Sequence, residues 1–134
     1  MSARSDVRAV VNRHAPRLVT AELRYLRTRT SYGASVQSAF ARGDTELPRA
    51  SAATVRDLRR WRTQARRALA DVQELGDSKA RELAVKAYRD LDGAIIALLP
   101  TMTPGPDFQR QLALARRGFA RHRRSLKAMN GYLS

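Results

Sequence analysis

The sequence has no cysteine. Disulfides, thiol chemistry and cysteine-ligated metal are therefore excluded, and the composition is compatible with a reducing cytosol. Aromatics make up only 6% of the residues. Alanine is abundant and β-branched residues are few, which favours closely packed helices over sheets. Long apolar runs are missing too. The longest, GAIIALLP at 93–100, is far too short to span a bilayer, and the N-terminal MSARSDVRAVV has no apolar stretch of the kind a signal peptide needs. The expected location is cytoplasmic, or inside a virion. Acidic residues are also scarce, with 12 against 26 basic ones and a formal net charge of +14.

Motifs for catalysis are missing as well. There is no glycine-rich phosphate loop and no nucleophile elbow. His14 and His122 both fall on apolar stripes, and no cysteine or well-placed carboxylate completes a ligand set around them. Each is read as a packed residue satisfied by a hydrogen bond. Asp90 and Asp92 are two positions apart on a helix and so point in different directions, which makes them poor partners for acid–base work. No metal, no cofactor and no enzymatic activity are expected.

What is present is helical periodicity. A chain of 134 residues fits one domain, 1–134, with a core large enough to fold without metal. Val7, Val11, His14, Leu18, Ala21 and Tyr25 share one helical face over about Ser5–Thr30. Pro16 should kink or break that helix near His14 and Ala15. Residues 31–50 read as a connection, with a possible short helix at Val36, Ala39 and Phe40 and loop signals at Gly43, Asp44 and Pro48. A second helix should start at Ser51, with Thr54 as an alternative cap. It should bury Val55, Leu58, Trp61, Ala65, Leu69 and Val72, and stop at Gly76 in a left-handed cap. A third should start at Asp77 or Ser78 and end by Pro100. Pro106 suits the first turn of a final helix that runs to about Asn130. Phe108, Leu112, Ala115, Phe119, His122, Leu126 and Met129 follow a strict seven-residue repeat there, the mark of a long helix–helix seam. The expected fold is an all-α bundle of four to five mainly antiparallel helices.

The positive charge is unevenly placed. Residues 1–30 carry a net +5, residues 51–75 +3 and residues 101–134 +6, while 31–50 and 76–100 balance at zero. Arginine outnumbers lysine 23 to 3. GC-rich codon usage can produce that ratio, but the shortage of acids is a separate signal. With residues set about 100° apart around each helix, Arg116, Arg117, Arg121, Arg123, Arg124 and Lys127 fall away from the apolar stripe of the last helix. Arg56, Arg59, Arg60, Arg66 and Arg67 do the same on the second. A solvated helix face usually interleaves acids with bases, yet the last helix has Asp107 as its one acid.

These features predict a non-enzymatic protein that binds nucleic acid, DNA or RNA, through phosphate contacts with little sequence readout. By general build it compares with small helical subunits of larger nucleoprotein assemblies, of the RNA-guided or virion type. A structural or adaptor protein whose basic faces meet acidic protein surfaces is the rival class. The stretch SAATVRDLRRW at 51–61 resembles the recognition helix of helix-turn-helix regulators, which implies a third class that reads duplex DNA; however, Gly43 lies too far upstream for the turn, and Pro48 intervenes. An anionic membrane surface is the weakest reading, because the apolar stripes are expected to be used in packing.

Overall fold

Three of the four helices begin at a serine whose hydroxyl caps the first turn. Ser2 Oγ accepts from the Ser5 amide at 3.1 Å, Ser51 Oγ from Thr54 at 3.1 Å and Ser78 Oγ from Arg81 at 3.0 Å. Each hydroxyl satisfies an amide that has no partner inside the helix. In the computed structural model, which describes residues 2–134, these caps open α1 (Ala3–Arg42), α2 (Ala52–Gln73) and α3 (Lys79–Leu98). A 3-10 turn at Leu99–Met102 leads to α4 (Phe108–Leu133), whose first turn has no side-chain cap. Among the described residues the fold is an all-α bundle of four helices.

Several expectations are corrected. No break occurs near His14 and Ala15, because α1 continues through Pro16. The proline removes one backbone bond, to the Asn12 carbonyl. Asn12 and Pro16 are both exposed, so water can serve that carbonyl, while buried Val11, His14 and Ala21 hold both flanks of the helix against the bundle. Residues 31–42 are not a connection but the end of α1. Val36 and Ala39 bury one face, and the Tyr32 hydroxyl donates to the Thr101 carbonyl at 2.6 Å. The left-handed cap lies at Gly43, with φ 70°, and not at Gly76. The Gly43 amide bonds Phe40 O and the Asp44 amide bonds Ala39 O, each at 3.0 Å, the paired closure of a Schellman motif.

Of the alternative starts, Ser51 and Ser78 are the caps. The Thr54 hydroxyl instead reaches across to the Thr28 carbonyl of α1 at 3.1 Å. Pro106 lies before α4 rather than in its first turn. The helix also passes Asn130 and Gly131 to Leu133, which is buried, and Arg8 Nε donates to the Leu133 carbonyl at 2.6 Å.

Contacts between helices run in opposite sequence directions, so neighbours are antiparallel. Thr28 meets Thr54 and His14 meets Asp71 between α1 and α2. Arg62 meets Asp92 and Gln73 meets Arg81 between α2 and α3. Gly118 meets Ala94 and His122 meets Ala87 between α3 and α4. One half of the core gathers Val7, Val11, Val72, Tyr88, Met129 and Leu133; the other gathers Tyr25, Leu58, Trp61, Leu91, Ile95 and Met102. Trp61 is core: it stacks between Tyr25 and Phe119, with ring centroids 5.9 and 5.5 Å away.

The buried face of α4 is turned from the expected stripe toward Gly118 and Ser125, both buried, while Leu112, Phe119 and Leu126 are only part-buried. Apolar periodicity picks out large residues, whereas the approach of α4 to α3 at Gly118 uses small ones. A Cβ on Gly118 would lie 3.0 Å from Ala94 Cα, so the backbones meet where a side chain is absent. Among the described residues, no helix is long and apolar enough to cross a membrane.

Candidate nucleic-acid interface

Burial of Phe108, Ala115, Gly118, Ser125, Met129 and Leu133 fixes the rotation of α4. That rotation leaves Arg116, Arg117, Arg121, Arg123, Arg124 and Lys127 all exposed. Among the described residues, none of the six forms an ion pair with a carboxylate. Asp107, the acid at the start of this helix, pairs instead with Arg110 at 3.5 Å. Like charges this close on one helix cost a few tenths of a kcal/mol per pair. Each large side chain buried on the opposite face contributes about 1.5–3 kcal/mol, so the helix holds and the row stays unneutralised.

Arg56, Arg59, Arg60, Arg66 and Arg67 of α2 are all exposed, but their neighbours differ. Arg56 Nε sits 3.7 Å from the carboxylate of its neighbour Asp57. Arg60 and Arg67 face α1 across an open cleft, where Arg17 and Arg24 join them. Arg59 and Arg66 are exposed but do not line that cleft. The main helix contacts run α1 to α2, α2 to α3 and α3 to α4. Thus α2 and α4 lie diagonally across the bundle and touch through Trp61 and Phe119. The α2 and α4 cations consequently point away from each other. Sequence reasoning missed Arg17 and Arg24. The available signal was their seven-residue spacing, which matches that of Arg60 and Arg67 on the antiparallel neighbour.

Other cations are used internally. Arg13 and His14 share Asp71, at 3.1 and 2.6 Å, and the His14 hydrogen bond holds the Asp71 carboxyl below its ordinary range. Arg62 pairs with Asp92 at 3.0 Å and Arg81 with Asp77 at 3.3 Å. Arg4 lies over the ring of Tyr132 in the last turn of α4, at 4.6 Å. His122 makes a 2.9 Å hydrogen bond through Nδ1 to the Ala87 carbonyl. Burial pushes its pKa below the usual histidine value, so it is neutral at pH 7 and its Nδ1–H donates to that carbonyl. Both histidines are thus packed, hydrogen-bonded residues. Among the described residues no group of three or more histidine and carboxylate side chains could hold a metal.

Set beside known protein families, curated proteins and solved structures, the chain matches none of them.

Proposed function

We propose that this protein binds nucleic acid, without catalysis, through phosphate contacts made by the outer face of α4, as a small subunit of a nucleoprotein assembly of the RNA-guided or virion type. The observation that carries this reading is the row of six exposed cations from Arg116 to Lys127, none of them in an ion pair with a carboxylate among the described residues. Guanidinium groups present a planar fork that fits phosphate oxygens. A rigid helix holds them in place before binding, so little ordering entropy is lost on contact. Backbone contacts of this kind position a ligand without reading its sequence. The cations of α2 and α1 face elsewhere and would engage a second segment of strand.

Fluorescence anisotropy with short DNA and RNA, single and double stranded, tests the reading across a salt series. Six phosphate contacts on duplex DNA predict a slope of about −5 in log K against log salt. Reversing Arg117 and Arg124 to Glu should weaken binding and flatten the slope by roughly two, with the melting temperature nearly unchanged. Unaltered binding in that folded variant rejects the assignment. Displacement by an acidic peptide but by no polynucleotide would favour the adaptor class. Strong preference among unrelated duplexes would favour a sequence-reading regulator.

A further inference from the structure

Between α1 and α2 lies an open cleft of about 480 Å³, bordered by Arg17 and Arg24 on one side and Arg60 and Arg67 on the other. Its volume is within the range of small-molecule sites. In each pair the arginines are seven residues apart, about 10.5 Å along the helix axis. Among the described residues, none of these four forms an ion pair with a carboxylate.

The lining between these cations is unusual for its acceptors. The Asp57 side chain is 6% exposed, and its nearest cationic atom, Arg56 Nε, is 3.7 Å away, too long for a hydrogen bond. No hydrogen bond to this carboxylate is made among the described residues. Gln64, two turns further along α2, has a buried amide oxygen with no partner. Unlike Gln64 Oε1, the Asp57 oxygens are not closed off from solvent, so this unpaired carboxylate is open to donors of a ligand in the cleft. Here Arg24 and Arg60 line the same cleft as Asp57, yet neither is within ion-pairing distance. The cleft therefore offers cations at its edge and unmatched acceptors within.

An inorganic anion would suit the cations but leave Asp57 without a donor. A ligand that satisfies both carries phosphate and, a few ångströms away, N–H donors. Nucleotides have that composition. Among the common bases, guanine alone presents two adjacent donors, N1–H and the N2 amino group, on its pairing edge, and a carboxylate can accept both. We infer that the α1–α2 cleft binds a guanine nucleotide unit, with the base edge on Asp57 and the phosphate between the arginines of the two helices. The pairing edge must be free for this, so within a polymer the unit comes from an unpaired strand. The inference deepens the nucleic-acid reading and takes its biological context from it, but its test is separate.

Titration of the isotope-labelled full chain with GMP, IMP, AMP, CMP, UMP and inorganic phosphate, followed by amide chemical shifts, reads the site directly. GMP should perturb residues around 17–24 and 57–67 and bind about tenfold or more tightly than AMP, CMP or UMP. IMP, which lacks the N2 amino group, should fall below GMP. Asp57→Asn should remove the preference for GMP. Arg24→Ala with Arg60→Ala should weaken every nucleotide while the preference remains, which provides a second line if Asp57→Asn unfolds. Equal binding of all the nucleotides and phosphate, or shifts outside the cleft, would overturn the inference. The Arg117→Glu, Arg124→Glu variant keeps GMP binding if the cleft is an independent site, so failure of the α4 interface and failure of this one are told apart.

Discussion

Gly118→Ala sets two physical effects against each other, and the structure decides between them. In a helix interior, replacing glycine by alanine ordinarily stabilises by about 0.5–1 kcal/mol, because the unfolded chain loses freedom. At Gly118 the added Cβ would lie 3.0 Å from Ala94 Cα and 3.1 Å from Ala94 Cβ. Carbon atoms pack best at about 3.5–4.0 Å, so α4 must move away from α3 by several tenths of an ångström. Overpacking of this kind costs about 1–3 kcal/mol. The nearest atom is backbone, so no rotamer change in α3 relieves the contact, and Ala94→Gly should rescue only part of the loss. The net expectation is a destabilisation of about 1–2 kcal/mol, or roughly 3–8 °C in melting temperature for a chain of this size. Gly93 provides the control: it lies in α3, and a Cβ there meets nothing within 4 Å. Gly93→Ala should therefore stabilise by about 0.5–1 kcal/mol. Circular dichroism melts and urea titrations of the two variants test the reasoning. A Gly118→Ala protein that melts at or above the parent temperature would refute the close approach of α3 and α4, and with it the rotation that aims the arginines of α4 outward.

Two further expectations concern the core and pH. Trp61→Ala removes the ring that joins Tyr25 to Phe119 and should cost about 3–5 kcal/mol, read in the same melts; in the parent protein Trp61 emission should be blue-shifted and little changed by nucleic acid, whereas strong quenching would place the ring at the interface. Because burial lowers the folded pKa of His122 below 6.5, the unfolded chain takes up its proton first as the solution is acidified. Stability should therefore fall as pH drops through 6.5 toward the lowered folded value, and be flat above it. The difference in melting temperature between the parent and His122→Gln should carry that slope. An equal pH dependence in both proteins would show that His122 does not contribute.

Much of the fold was legible because it depends on neighbours in the chain. Ser51 and Ser78 announce helix starts through a hydroxyl and an amide three residues apart. The segregation of Arg116, Arg117, Arg121, Arg123, Arg124 and Lys127 from the apolar residues of α4 is likewise a matter of helical spacing. The misreadings share one cause. Pro16 and residues 31–42 carry local signals for a break that burial of flanking residues overrides. Gly76 looks like a stop, but the cap that needs a positive φ is at Gly43. Gly118 and Ser125 are silent in any hydrophobic pattern, yet they turn the buried face of α4 because only small residues let two backbones approach.

The sequence by itself determined that this chain forms serine-capped helices, lacks the cysteine that thiol chemistry needs, and carries its surplus charge as arginine-rich helix faces. Those properties follow from residue type and from spacings of three, four and seven. Only the tertiary structure decided which cations are spent on partners, as Arg13 and Arg62 are on Asp71 and Asp92. It also set the α2 and α4 charges on opposite sides of the bundle and brought Arg17, Arg24, Arg60 and Arg67 to one cleft with the buried Asp57. Electrostatic contacts act over a few ångströms, and residues tens of positions apart come within that distance only once the helices have packed.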